Sequence, residues 1–177
     1  IELLKSIENK SSLSTIKGIA FREGDKVFIN EKRPLIKDID AIPFPAYELF
    51  PIDYYRLLRM PHVSNNDFVL PILSGRGCPF KCTFCYRIDE GLRTRSNENV
   101  IEEIKLLKAT YGITYIAFGD ELLMSSEERI VSICNDFIKN KLNIKWDCNG
   151  RLNYARRDVL NLMKQAGCVF INYGIES

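Results

Sequence analysis

No run of about 18 apolar residues occurs in the 177-residue sequence, so nothing in it reads as a membrane-spanning helix. A basic-then-apolar leader of the secretory type is missing as well. Excess charge of one sign is also missing. Lys and Arg number 25 against 23 Asp and Glu, a formal charge of +2, which gives no electrostatic case for nucleic acid or an anionic membrane. Histidine is nearly absent: His62 stands alone among prolines, so no paired-histidine metal motif can be written. A second Cys-x-x-Cys pair is lacking too. Without an export signal, the six cysteines point to a reducing, cytoplasmic setting and not to a disulfide framework.

What is there is a globular composition, 46% hydrophobic and 27% charged, in a chain long enough for one domain of ordinary size. The sequence opens at Ile1 with the helix-like IELLKSIENK and stops just after an apolar run, and it reads as an internal piece of a longer protein. Residues 16–66 form a first block. Runs 16–22 and 26–30 flank Gly24-Asp25, a pair suited to a tight hairpin. A segment with Pro34, Pro43, Pro45, Pro51 and Pro61 follows, too proline-dense for long helices or central strands. Its aromatics, Tyr47, Phe50, Tyr54 and Tyr55, predict an ordered linker packed on a domain surface.

From residue 67 the pattern alternates. Apolar runs at 68–75, 113–120, 144–150 and 168–175 read as strands. Between them lie helices begun by Ser96, by a Ser125–Glu128 capping box and near residue 156. The helices carry Val100, Ile104, Leu107 and Tyr111, then Ile130, Ile133, Cys134 and Phe137, then Val159, Leu162, Met163 and Ala166 at helical spacing, with Gly112 and Gly167 as stops. This β-α-β-α-β-α-β order predicts an α/β fold with parallel strands. In such folds ligands gather at the carboxyl ends of the strands. Four segments converge on that rim: the cysteine cluster, GDE at 119–121, CNGR at 148–151 and the terminal GIES. Gly75-Arg76-Gly77 reads as a flexible approach to the cysteines, and Arg93 and Arg95 as a solvated loop. Cys134, Cys148 and Cys168, each alone in an apolar run, read as buried thiols.

Cys78, Cys82 and Cys85 stand in C-x3-C-x2-C spacing. A structural zinc site is usually closed by four Cys or His ligands. A dithiol redox pair would use Cys82 and Cys85 and leave Cys78 unexplained. An iron–sulfur cubane usually takes four thiolates, so three would leave one iron open to a small molecule.

The stretch Cys78-Pro79-Phe80-Lys81-Cys82-Thr83-Phe84-Cys85 resembles the signature of the radical S-adenosylmethionine (radical SAM) enzymes. The resemblance implies a 4Fe-4S cluster on Cys78, Cys82 and Cys85, with the amino and carboxylate groups of S-adenosylmethionine on the fourth iron. It implies reductive cleavage of the sulfonium to a 5′-deoxyadenosyl radical that abstracts hydrogen from an unreactive carbon. The segment 16–55 is similar to the linker of cobalamin-dependent members of the family. That likeness implies residues 1–15 as the end of a cobalamin-binding-like domain, 16–66 as hairpin and linker, and 67–177 as the first part of the radical SAM core. The core would be a partial (β/α) barrel with about four of its six βα units. Cobalamin would bind in a domain upstream of this chain. His62 does not match the cobalt-ligating motif of some relatives.

By the same resemblance Phe84 lies near the adenine. Asp120 and Glu121 receive the methionine amino group, Asn149 and Arg151 at the end of the third strand join the cofactor site with Arg151 able to pair with the methionine carboxylate, and Glu176 contacts the ribose. The expected activity is cobalamin-linked methylation or rearrangement of a small-molecule or lipid-like substrate, with an electron donor such as flavodoxin or ferredoxin. A cobalamin-independent, methylthiotransferase-like enzyme and a zinc-thiolate scaffold are the alternatives.

Overall fold

The computed structural model describes residues 1–86 and 91–175. The chain divides into two compact units, Ile1–Lys37 and Asp38–Ser177.

The first unit holds helix α1 (Glu2–Glu8), a 3-10 turn at Leu13–Thr15 and an antiparallel hairpin of β1 (Ala20–Glu23) and β2 (Lys26–Ile29). Glu23 pairs with Lys26 across Gly24-Asp25, and Gly24 has φ +58°, as a type II′ turn requires at its first central position. Phe21 and Phe28 stack with ring centroids 5.4 Å apart. The Asn30 amide donates to the carbonyls of Leu13 and Ile16, tying the hairpin to the preceding turn.

The second unit is built on a four-stranded parallel sheet in the order β3 (Val69–Ile72), β6 (Tyr115–Phe118), β7 (Lys145–Gly150), β8 (Cys168–Tyr173). After the short helix α2 (Ile52–Tyr55), helices α3 (Asn97–Tyr111), α4 (Glu127–Lys139) and α5 (Arg157–Gln165) alternate with these strands. Their apolar stripes bury Val100, Ile104 and Leu107, then Ile130, Ile133 and Phe137, then Val159 and Met163 against Ile116, Phe118, Trp146 and Cys148 of the sheet. Strand alternation puts Tyr115, Ala117, Asp147 and Asn149 on the opposite face. Ser96 caps α3 by accepting from the Asn99 N–H, and Gly112 ends it with φ +70°.

Several expectations are corrected. The strand read as 68–75 is two strands. The chain leaves the parallel sheet after Ile72, and β4 (Gly75–Cys78) pairs antiparallel with β5 (Gly91–Thr94). The approach to the cysteines is therefore a strand, with Gly77 at φ +82°, a backbone conformation side chains resist. Arg95 is not solvated. It pairs with the buried Glu103 carboxylate and donates to the Leu73 carbonyl at 2.8 Å. Ser126, not Ser125, caps α4, accepting from the Arg129 N–H, while Ser125 is buried. In the linker, Tyr47 and Tyr55 pack against the core, but Phe50 and Tyr54 are exposed. β8 lies at an edge of the four described strands. Pro71 is accommodated because β3 is the other edge strand.

Residues 38–66 make specific contacts within this unit. The Asp40 carboxylate accepts from the Ser96 N–H, and the Tyr47 hydroxyl donates to Glu103 at 2.6 Å. Burial first, then that carboxylate, pushes the Tyr47 hydroxyl far above its usual range, so it stays a donor.

Candidate functional site

The cysteine segment is held at both ends. Cys78 is the last residue of β4 and pairs with Gly91, the first of β5. Between them the Cys85 N–H donates to the Cys82 carbonyl at 3.3 Å, a turn spanning the two cysteines. All three thiols are free. Cys78 and Cys82 are half-buried and Cys85 is exposed.

The base of the segment is clamped from β6. Asp120 follows that strand and is 3% exposed. One carboxylate oxygen accepts from the Ser74 N–H at 2.7 Å and the other from the Ser74 hydroxyl at 2.6 Å. Arg129 of α4 donates to the Ser74 carbonyl and hydroxyl, with the Asp120 carboxylate 3.8 Å away. Burial raises the Asp120 carboxyl above the usual carboxylate range, against the opposing pull of Ser74, Gly75 and Arg129. Gly119 donates its N–H to the Ile72 carbonyl, so the ends of β3 and β6 stay in register at the rim.

The expected rim residues divide into those brought together and those left apart. The Asn149 amide donates to the Asp120 carbonyl at 3.0 Å, and the Asn172 amide donates to the Asn149 side chain. Arg151 reaches the cysteines, with Nη1 3.7 Å from the Cys82 sulfur and the guanidinium 4.0 Å from the Phe80 ring centroid. Asp120 is committed to Ser74, which leaves Glu121, exposed, as the carboxylate of the GDE segment open to a ligand. Phe84 is 71% exposed and has no ring contact among the described residues. Glu176 lies outside the described residues.

Sequence reasoning missed three participants. Ser74 and Arg129 form the clamp with Asp120, and Phe80 carries the stack with Arg151. Ser74 lies 46 positions from Asp120 and 55 from Arg129, and Phe80 lies 71 from Arg151, so no local spacing encodes these contacts. His62 was also left without a partner. It lies 2.9 Å from the Asp147 carboxylate, which also accepts from the Tyr115 hydroxyl, and it stacks on Phe170 at 4.1 Å.

The donor set distinguishes metals. Among the described residues no three His, Cys, Asp or Glu side chains converge round a single ion. A closed zinc site needs its donors about 2.0–2.3 Å from one point. Thiolates of an iron–sulfur cubane are spread over separate irons. Three free cysteines in one turn-forming segment are one short of the four thiolates a cubane usually takes, which leaves one iron open to a small molecule.

Comparison with known proteins agrees with that chemistry. The model of the Radical SAM superfamily matches residues 72–177. An uncharacterized methyltransferase of Pyrococcus horikoshii is 34% identical over 99% of this chain and 38% of its own length. The anaerobic magnesium-protoporphyrin IX monomethyl ester cyclase of Cereibacter sphaeroides is 28% identical over 100% of this chain and 29% of its own length. The chain thus spans roughly a third of these curated relatives. Among solved structures, the cobalamin-dependent S-adenosylmethionine radical enzyme OxsB superposes with a TM-score of 0.73 at 22% identity, over 99% of this chain and 26% of that one. The radical S-adenosylmethionine methyltransferase TsrM of Kitasatospora setae gives 0.72 at 15% identity, over 99% and 35%. At those identities the superpositions speak for the fold, while the family match covers three of the four parallel strands, the cysteine segment and the rim together: this chain belongs to the radical SAM superfamily.

Proposed function

We propose that Cys78, Cys82 and Cys85 hold a 4Fe-4S cluster whose fourth iron takes S-adenosylmethionine, and that the whole protein uses it in a cobalamin-linked methylation or cyclisation of an unactivated carbon. The observation that carries this reading is the segment of three free thiols set between β4 and β5 at the carboxyl rim of a parallel sheet. When bound, such a cluster supplies the electron for reductive cleavage of the sulfonium.

The chain's own groups have defined tasks in this reading. Glu121 offers a carboxylate acceptor for the methionine amino group. Asp120, Ser74 and Arg129 fix the approach to Cys78. Asn149, anchored on the Asp120 carbonyl, keeps the end of β7 beside the GDE segment. Phe84, exposed beside Cys85, presents an aromatic face to an adenine. His62 is engaged by Asp147 and Phe170, so it is not assigned to cobalt. Cobalamin binding, a small-molecule or lipid-like substrate and an electron-donor protein are carried by the likeness to the relatives, several of which are named as methyltransferases or cyclases.

Metal analysis of anaerobically reconstituted protein tests the reading. About four irons and four sulfides per chain are expected, lost in Cys82→Ala and kept in Cys134→Ala. One tightly held zinc in place of iron, or full iron in Cys82→Ala, overturns it.

A further inference from the structure

Arg151 is half-buried, yet among the described residues it forms no ion pair. An incompletely solvated guanidinium normally has a carboxylate partner, because removing a charge from water without compensation is costly. Its two contacts are the Phe80 ring, 4.0 Å away, and the Cys82 sulfur, 3.7 Å from Nη1. Both belong to the cysteine segment. The ring covers one face of the planar group, and the edge that remains carries the N–H groups toward sulfur. The arginine starts from a fixed point. It follows Gly150, where an added Cβ would lie 2.6 Å from the Met124 sulfur and 2.8 Å from Ile171, so the backbone there is tightly packed.

We propose that Arg151 is a positioning residue that fixes the Cys82 limb of the cysteine segment and keeps a cation and an N–H donor beside the Cys82 sulfur when a cluster is bound. This rests on the cluster reading above. The missing counter-charge is then the negative charge of the thiolate and cluster. Hydrogen bonds and positive charge near cluster sulfurs raise the reduction potential, because they favour the more negative, reduced form. Lysine keeps the charge but has no planar face to stack on Phe80 while pointing an N–H at sulfur. A residue serving only the methionine carboxylate would leave both the empty segment and the S-adenosylmethionine-free cluster unaffected.

The test uses the full chain as wild type, Arg151→Met and Arg151→Lys, with circular dichroism to confirm folding. Hydrogen exchange on the metal-free proteins should be faster over 79–86 in Arg151→Met and unchanged in β6. After anaerobic reconstitution and without S-adenosylmethionine, potentiometry followed by electron paramagnetic resonance should give Arg151→Met a more negative cluster potential, with Arg151→Lys between. Wild-type exchange and wild-type potential in Arg151→Met overturn the inference and leave the cluster reading standing. A wild type that takes up no iron overturns the cluster reading and with it the electrostatic part, while the exchange result still decides the positioning part.

Discussion

The six cysteines separate into two chemical groups. Cys134 is fully buried, and burial pushes its thiol up to about 12. Cys148 is raised too, by the neighbouring Cys168 thiol and then by burial. The thiolate is the nucleophile, so at pH 8 Cys134 is reactive in only about one part in ten thousand. Alkylation of the native, metal-free chain at that pH should therefore label Cys85 first and leave Cys134 and Cys148 unmodified until the protein is denatured. The window follows from the sign of the shift: the protected thiol form persists until the pH approaches the raised value. Peptide mapping by mass spectrometry reads the order, and labelling of Cys134 as fast as Cys85 would contradict it. This partition was legible in the sequence, because three thiols share one polar segment and three sit singly in apolar runs. The role of Asp120 was legible only in part. Its place on the rim could be read, but its burial against Ser74 depends on a strand break that no local pattern announces.

At the scale of elements, periodicity placed all three long helices and the four parallel strands, since each helix carries one apolar stripe and each strand one apolar run. The β4–β5 pair was not legible, for a physical reason. It sets Arg76 directly across from Arg93, and facing like charges argue against strand pairing. What holds it is distant: the Asp120 clamp on Ser74, and Arg95 seated on Glu103. Helix ends were better marked, and the two glycine stops differ in a testable way. Gly112 has φ +70° with open space where a Cβ would go. Gly167 has φ +98°, and its Cβ would sit 2.2 Å from the Ile144 carbonyl oxygen. Gly112→Ala should cost about 1–2 kcal/mol, the strain of a left-handed alanine. Gly167→Ala adds displacement of the Ile144 backbone just before β7 and should cost at least about 3 kcal/mol. Urea melts read by Trp146, the sole tryptophan, can measure both, because that ring is fully buried against Phe118 and Phe137. Equal costs would show that the backbone at Ile144, just before β7, yields easily.

Across the whole molecule, core is distributed unequally between the two units. In Ile1–Lys37, Ile16 is the one buried apolar side chain, and every residue of β2 is exposed. The connected hydrophobic core runs from Ile52 to Cys168, wholly within the second unit. A two-stranded hairpin with little burial is marginal in water, whereas a sheet covered by three helices opens only with global unfolding. Hydrogen exchange on the intact chain should show this as two levels of protection. Amides of β1 and β2 should exchange through local opening at a small free-energy cost, while those of β6 and β7 exchange at the free energy of global unfolding, insensitive to events in residues 1–37. Substituting Phe28→Ala, which removes the stack with Phe21, should speed exchange in the hairpin and leave β6 and β7 unchanged. Equal protection in the hairpin and the central strands, or loss of protection in β6 on that substitution, would mean that the two units unfold as one.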